Sequence, residues 1–209
     1  MIKNLLFDLG GVLMTIDSKE ALRRFESRGL KNAAEYMDSY TQKGIFGQLE
    51  EGKISDAEFA EALGKLTGKP QSLQDCKWMW LGYKKDVPQR NLDALKRLRA
   101  EGYRLALVSN TNSFMQSWAE SDFDGKGGSI RDYFDALYRS YEMGVMKPDE
   151  TFFRKVLSKE KAIPDECLFI DDSARNCAAA SELGLMTYCP ENGKDWTKEL
   201  EKKLKTTNG

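Results

Sequence analysis

Short apolar runs alternate with helical patterns along most of this chain, and no other feature of the sequence limits its fold as strongly. The runs are nearly continuous in apolar character, as expected for strands that are covered on both faces. They lie at residues 5–7, 104–108, 136–138, 167–170 and 186–188. Apolar residues at helical spacing occur between and after them, over residues 91–100, 150–157, 174–183 and 196–204. The sequence therefore predicts an α/β fold, with a Rossmann-like parallel sheet and helices on both of its faces.

Residues 16–87 interrupt this alternation and contain only helical patterns. Ser55 and Glu58 have the spacing of a capping box, and Phe59 and Leu63 follow at helical spacing. We predict a small all-helical cap, inserted after the first strand and able to cover the carboxyl edge of the sheet as a lid. The predicted division is a core of residues 1–15 and 88–209 and a cap of residues 16–87.

Several residues of the predicted cap could reach a substrate. The aromatic residues Trp78, Trp80 and Tyr83 could form a wall on which a sugar stacks, but we favour a place in the interior of the cap. Glu50 and Glu51 lie near a possible loop of the cap and could face either substrate or solvent.

Composition excludes several kinds of chemistry. The 209 residues include no histidine, so Ser-His-Asp catalysis, Cys-His catalysis and histidine metal sites are excluded. The 32 basic and 33 acidic residues give a net charge of −1, which provides no basic field for nucleic acid. Carboxylates, lysines and hydroxyls must therefore carry the chemistry.

The sequence also gives an expected location. Its apolar runs are far shorter than a membrane span, and the first residues lack the pattern of a signal peptide. Its four cysteines match no CxxC pair or zinc pattern, which favours reduced and mostly buried thiols. We expect a cytoplasmic protein without a membrane partner, with a monomer as the default state.

Asp8 ends the first apolar run and is followed by Gly10 and Gly11. In open parallel sheets, functional groups gather outside the carboxyl ends of the strands. A carboxylate at this place can act as a nucleophile or hold a metal ion. The alternative is an ordinary turn residue, for which aspartate is common.

Three later segments have compatible side chains. Ser109 and Asn110 end the run at 104–108 and could cradle an anion, or could begin a helix. Lys147 precedes a proline, which favours an extended backbone, and could offset phosphoryl charge or be a surface lysine. Asp171 and Asp172 follow the run at 167–170 and could bind Mg²⁺, or one of them could cap the next helix.

The order of these four motifs resembles the haloacid dehalogenase-like hydrolase superfamily over essentially the whole chain. The matching segments are residues 7–12 around Asp8, residues 109–111, residues 147–148, and the pair 171–172. The superfamily has a small cap where residues 16–87 lie. The chain is most similar to its sugar-phosphate phosphatases, such as bacterial α-glucose-1-phosphatase, in the segment 109–112 and in residues 52–56.

The resemblance implies a Mg²⁺-dependent phosphatase that acts on a small phosphorylated metabolite, with a sugar phosphate as the expected substrate. Asp8 would attack phosphorus and form an aspartyl-phosphate, which water then hydrolyses. Ser109 and Asn110 would hold the phosphoryl oxygens, and Lys147 would offset negative charge.

The resemblance also implies a set of metal ligands. Asp8, the Gly10 carbonyl and Asp172 would hold Mg²⁺, with Asp171 bound directly or through water. Gly10 is a departure, because most phosphatases of the superfamily have a second aspartate there as general acid and base. A substrate with a good leaving group, a substitute such as Asp17 or water, or weak catalysis would each be consistent with this glycine.

Two other functions stay open at the level of sequence. A haloacid dehalogenase would use Asp8 on carbon and would need no metal, but it would have no use for the pair Asp171 and Asp172. A member that binds a phosphorylated ligand or a protein partner without catalysis is consistent with Gly10 but leaves Asp8 unexplained. We favour the phosphatase, and Mg²⁺ dependence with phosphate release would separate the three.

Overall fold

The computed structural model describes residues 1–38 and 42–208. In chain order, its strands are β1 (Asn4–Phe7), β2 (Thr15–Ile16), β3 (Lys84–Asp86), β4 (Arg104–Ser109), β5 (Ala136–Arg139), β6 (Cys167–Ile170) and β7 (Met186–Tyr188). Five of them form a parallel sheet in the order β5–β4–β1–β6–β7. These are the five predicted runs, so the predicted α/β sheet is confirmed.

The helices cover both faces of this sheet. They are α1 (Ser18–Ser27), α2 (Ile45–Glu50), α3 (Asp56–Thr67), α4 (Leu73–Trp80), α5 (Gln89–Ala100), α6 (Ser113–Asp122), α7 (Ser140–Met143), α8 (Glu150–Glu160), α9 (Ala174–Glu182) and α10 (Thr197–Asn208). Successive residues of a strand point to opposite faces. Leu5 and Phe7 lie in the apolar core that includes residues of α5, α6 and α10, whereas Leu6 lies in the core formed with α8 and α9.

The inserted segment contains α1 to α4, of which the sequence patterns predict α1, α3 and α4 but not α2. A two-stranded antiparallel pair of β2 and β3 lies at its two ends, so the segment is not all-helical as predicted. The sequence does not predict this pair, because two residues of β2 and the charged Lys84 and Lys85 show no strand pattern. The predicted capping box is confirmed at α3, where Ser55 N donates to Glu58 Oε2 at 2.7 Å and Glu58 N donates to Ser55 Oγ at 3.3 Å. The boundaries of core and cap stay a prediction.

Aromatic rings fill the interior of the inserted segment. The Phe46 ring lies 5.3 Å from Phe25 and 5.8 Å from Trp80, measured between centroids. Trp80 and Tyr83 are buried and stack on each other at 5.9 Å. Trp78 is 40% exposed and packs under the guanidinium of Arg24. The interior interpretation is therefore confirmed for Trp80 and Tyr83, whereas Trp78 lies on the outside.

The central strands bring the sequence motifs together. Because β1 lies between β4 and β6, the carboxyl ends of all three strands are adjacent at one edge. Asp8, Ser109 and Asp171 end or follow these strands and therefore meet there. Within the described ranges, no helix is long and apolar enough to cross a membrane. All four cysteines are free thiols, and only Cys189 is exposed.

Candidate active site

Asp8 lies directly beyond the end of β1, where its backbone N–H donates to the Ile170 carbonyl at 2.9 Å. Its Oδ1 accepts a hydrogen bond from Leu9 N at 2.7 Å and lies 3.0 Å from Lys147 Nζ. Burial raises the pKa of Asp8 to about 6, against the lowering effect of Lys147 and with a further rise from Asp171. The carboxylate is thus desolvated and oriented, and it opens onto the cavity above the sheet edge.

Lys147 is the buried cation of the site. Its Nζ donates to Asp171 Oδ2 at 2.6 Å and to the Val108 carbonyl at 2.8 Å, and the side chain is not accessible to solvent. The peptide bond to Pro148 is cis. Burial lowers the pKa of Lys147, but Asp171 and Asp8 raise it by more, so the ammonium stays charged. The alternative of an ordinary surface lysine is thereby excluded.

Asn110 fixes the backbone of Lys147. Its Nδ2 donates to the Lys147 carbonyl at 2.8 Å, and its Oδ1 accepts from Lys147 N, also at 2.8 Å. Both ends of the Asn110 side chain are therefore engaged, which leaves its backbone N–H as the group that could hold an anion. Ser109 is buried and lines the cavity. The helix after this segment is capped by Asn112, whose Oδ1 accepts from Met115 N at 3.1 Å.

The neighbouring residues Asp171 and Asp172 have different surroundings. Asp171 Oδ1 accepts from Ser173 N at 2.8 Å, and both of its oxygens lie 3.1 Å from Asn176 Nδ2. Asp172 Oδ2 is buried without a hydrogen-bond partner in the part of the chain that the structure describes. Burial raises the pKa of Asp172 to about 8, with additional contributions from Asp8 and Asp171. Ser173, and neither aspartate, caps α9.

This arrangement fits a divalent cation. One carboxylate oxygen from each of Asp8, Asp171 and Asp172 lies within 4.8 Å of the other two. Three carboxylates around a single lysine repel one another, and the unpartnered oxygen of Asp172 is free to act as a ligand. Gly11 allows the Asp172 carboxylate to lie close to the backbone, because a Cβ at Gly11 would lie 2.0 Å from Asp172 Oδ2. The φ of Gly11, +77°, also favours glycine.

Two carboxylates outside the motifs have contrasting positions. Asp17 caps α1, where its Oδ1 accepts from Glu20 N at 3.0 Å, and it is not among the residues that line the cavity. Glu50, at the end of α2, is buried and lines the cavity with Asp8 and Lys147. Of the two possibilities for Glu50, the structure selects the one that faces the site. No pattern in the sequence indicates which of the adjacent residues Glu50 and Glu51 faces the site.

The cavity joins the sheet edge to the inserted segment. The motif residues line the cavity at the sheet edge, its floor, and the residues of the inserted segment that line it, its roof, include Gln42, Glu50, Trp80 and Tyr83. Gln42 Oε1 and Trp80 Nε1 are buried without hydrogen-bond partners among the described residues. The roof therefore offers an acceptor and a donor to a polar ligand.

Comparisons with known proteins give consistent results. A family model described as haloacid dehalogenase-like hydrolase matches residues 2–184. A D-ribitol-5-phosphate phosphatase of Bacteroides thetaiotaomicron is 44% identical over 201 residues, which cover 96% of this chain and 97% of that protein. A predicted HAD-like family hydrolase from Porphyromonas gingivalis has a TM-score of 0.93 at 38% identity, with 98% of each chain covered.

A further structure was determined with ligands. A HAD family enzyme from Bacteroides thetaiotaomicron, in complex with magnesium and inorganic phosphate, has a TM-score of 0.87 at 38% identity. The match covers 95% of this chain and 99% of that one.

Proposed function

The chain belongs to the haloacid dehalogenase-like hydrolases and is a phosphatase of that family, and we propose that it hydrolyses a small sugar phosphate or sugar-alcohol phosphate through an aspartyl-phosphate on Asp8. The observation that carries the proposal is the contact of Lys147 with both Asp8 and Asp171, beside the unpartnered carboxylate oxygen of Asp172. The choice of substrate follows the D-ribitol-5-phosphate phosphatase to which the chain is similar.

Asp8 is the proposed nucleophile. The oxygen that faces the cavity attacks phosphorus in line with the leaving oxygen, while Oδ1 stays held by Leu9 N and Lys147. Water then attacks the phosphoryl group of the aspartyl-phosphate and releases phosphate. Lys147 reduces the repulsion between the carboxylate of Asp8 and the phosphoryl oxygens throughout.

Two groups from β4 and the turn after it are proposed to hold the phosphoryl oxygens. Ser109 offers its hydroxyl, and Asn110 offers its backbone N–H. The side chain of Asn110 acts separately, by fixing the backbone that carries Lys147.

Asp8, the Gly10 carbonyl and Asp172 are the proposed ligands of Mg²⁺, which supplies positive charge against the phosphoryl oxygens when bound. Asp171 is proposed to act differently. Its oxygens already accept from Lys147, Ser173 and Asn176, so it positions the lysine and contributes to the ion through water.

The experiment is phosphate release from D-ribitol 5-phosphate, glucose 1-phosphate and p-nitrophenyl phosphate, with either Mg²⁺ or EDTA. We expect turnover that requires Mg²⁺ and is lost in Asp8→Asn. Asp165→Asn, outside the residues that line the cavity, is the matched control and should keep wild-type turnover. Absence of turnover on every substrate would contradict the proposal, and metal-independent release of halide from a 2-haloacid would favour the dehalogenase.

A further inference from the structure

Gly10 provides no side chain for proton transfer, and the space beside it is occupied. A Cβ at Gly10 would lie 2.9 Å from Ile16 Cδ1, so an apolar side chain fills the position next to the glycine. Departure of an alkoxide from a sugar alcohol needs a proton, because such leaving groups are strongly basic. A group that supplies this proton must come from another part of the cavity.

The residues that line the cavity leave few candidates. Among the residues that the structure describes, its ionisable members are Asp8, Glu50, Tyr83, Lys147 and Asp172. Three of these already have proposed roles in attack, charge neutralisation and metal binding. The Tyr83 hydroxyl donates to the Asp38 carbonyl at 3.0 Å, and burial raises the pKa of Tyr83, so its proton is held. Of the ionisable groups in the described part of the cavity, Glu50 is the one without a proposed role.

Glu50 and Asp8 line the same cavity from different parts of the fold. Asp8 is at the floor, at the end of β1, whereas Glu50 comes from α2 in the inserted segment above it. In an in-line displacement the leaving oxygen points away from the nucleophile. For a substrate attacked by Asp8, we expect the leaving oxygen to be directed away from the sheet edge and into the part of the cavity that the inserted segment lines, which includes Glu50.

The packing of α2 holds this carboxyl in place. The helix is followed by Gly52, whose N–H donates to the Leu49 carbonyl at 3.0 Å. A Cβ at Gly52 would lie 2.0 Å from the carbonyl oxygen of Tyr141 in α7, so α2 rests directly on the core at this point. Glu50 itself is 8% exposed. The backbone that carries Glu50 is therefore held against the core, and its side chain has little access to solvent.

The surroundings of Glu50 favour a carboxyl that holds its proton near neutral pH. Burial raises the pKa of Glu50 to about 8, the Asn112 side chain lowers it, and the negative charge of Asp8 raises it further. A neutral carboxyl can donate a proton to a departing alkoxide, whereas an exposed glutamate is ionised at this pH.

We propose that Glu50 is the general acid and base of the reaction, in place of the carboxyl group that Gly10 lacks. This assignment depends on the proposed phosphatase function. As the bond from Asp8 to phosphorus forms and the bond from phosphorus to the leaving oxygen breaks, the proton of Glu50 passes to that oxygen and an alcohol leaves. The resulting carboxylate then takes a proton from the water that attacks the aspartyl-phosphate. Phosphate is released and Glu50 is neutral again.

The test is the dependence of kcat/KM on the basicity of the leaving group in wild type and in Glu50→Gln. A series of aryl phosphates from p-nitrophenyl to phenyl and methoxyphenyl varies this basicity without adding alcohol hydroxyls. The parameter kcat/KM reports steps up to the transfer to Asp8, so it isolates the acid role. We expect Glu50→Gln to lie within about fivefold of wild type on p-nitrophenyl phosphate. The kcat/KM of Glu50→Gln should fall further below that of wild type as the basicity of the leaving group rises. On an alkyl phosphate the loss should be about 10²- to 10⁴-fold.

Base catalysis by Glu50 has a separate readout. With p-nitrophenyl phosphate, Glu50→Gln should show a burst of nitrophenol that equals the enzyme concentration, followed by slow turnover, because hydrolysis of the aspartyl-phosphate lacks its base. Wild type should show a smaller burst or none.

The control variant is Glu51→Gln, which changes the adjacent glutamate, paired with Lys53 on the surface. It should match wild type across the series. A thermal shift by Mg²⁺ with inorganic phosphate verifies that Glu50→Gln keeps an intact site. A uniform loss across the aryl series, or no loss on alkyl phosphates, would overturn the assignment of Glu50. A wild-type enzyme without Mg²⁺-dependent turnover would instead overturn the phosphatase proposal.

Discussion

Lys147 Nζ lies 2.6 Å from Asp171 Oδ2, and neither side chain is accessible to solvent. A buried ion pair of this kind contributes little net stability, but loss of one partner leaves the other charge unpaired. The same Nζ lies 3.0 Å from Asp8 Oδ1. The buried pair with Asp171 therefore holds the ammonium group of Lys147 beside the carboxylate of Asp8, the proposed nucleophile.

Asp171→Asn is expected to affect mainly stability, whereas Asp172→Asn is expected to affect mainly Mg²⁺ binding. Asp171→Asn removes the charge that pairs with Lys147 and should lower the free energy of unfolding by about 3 kcal/mol. Asp172→Asn should leave the stability of the metal-free protein unchanged or higher at pH 7 and should abolish the Mg²⁺-induced thermal shift. Denaturant unfolding and Mg²⁺ titration of both variants check this. Equal destabilisation by the two substitutions would contradict it.

Asn110→Ala is expected to slow turnover without removing the nucleophile, the lysine or the metal ligands. The substitution deletes two hydrogen bonds of 2.8 Å to the Lys147 backbone. A misplaced catalytic group costs about 10- to 100-fold in rate, so kcat should fall by that factor while the KM for Mg²⁺ changes little. Steady-state kinetics with p-nitrophenyl phosphate measure both quantities. An unchanged kcat would show that Lys147 does not depend on these two hydrogen bonds for its position in catalysis.

Gly11→Ala is expected to weaken Mg²⁺ binding. An added Cβ would lie 2.0 Å from Asp172 Oδ2, so the proposed ligand must move. Gly125→Ala is the matched control, because Gly125 has a φ of +71° and no atom of the described residues lies within 4 Å of the added Cβ. Both variants incur the strain of a positive φ, about 1–2 kcal/mol. Only Gly11→Ala should lose Mg²⁺ affinity, measured by calorimetry, and an equal loss in both would refute the steric explanation.

The stabilising effect of Mg²⁺ should increase with pH. In the folded protein, burial raises the pKa of Asp8 to about 6 and the pKa of Asp172 to about 8, both from the ordinary aspartate value of 3.8. Between about pH 4 and pH 8 the folded state thus binds more protons than the unfolded state, and the contribution of these groups to stability falls as pH rises. Mg²⁺ competes with the same protons, so the increase in Tm that it produces should be larger at pH 8 than at pH 6.

The matched control for the pH prediction is Asp172→Asn, which cannot ionise at that position. Its Tm should depend less on pH than that of wild type in EDTA and should respond little to Mg²⁺ at either pH. Scanning calorimetry at pH 6 and pH 8 provides the comparison. A Mg²⁺-induced shift in wild type that is larger at pH 6 would contradict the assigned direction.

Local patterns in the sequence predict the sheet and the motif positions. Each strand of the parallel sheet is a short apolar run, and strands covered on both faces need continuous apolar character. Parallel strands bring their carboxyl ends to one edge of the sheet. The meeting of Asp8, Ser109 and Asp171 therefore follows from their positions at the ends of these runs. The antiparallel pair of β2 and β3 is not predictable in this way, since its residues pair across the whole inserted segment.

Tertiary contacts determine which role each polar side chain has in the site. Asp171 and Asp172 are identical and adjacent in the sequence, yet the first holds Lys147 and the second has an oxygen without a partner among the described residues. Asn110 looks like an anion-binding residue, but its side chain is engaged by the Lys147 backbone, 37 positions away. Glu50 and Glu51 differ only in the direction in which the end of α2 presents them.

Because strand and helix patterns are local, the amino-acid order was enough to predict the parallel sheet, the order of the chemical groups and the edge of the sheet at which they meet. The folded protein was needed to show that Asp171 pairs with Lys147, that Asp172 keeps an oxygen without a partner among the described residues, and that Glu50 of the inserted segment lines the same cavity as Asp8. Those outcomes depend on burial and on contacts between residues far apart in the chain, and such contacts leave no periodic trace in the sequence.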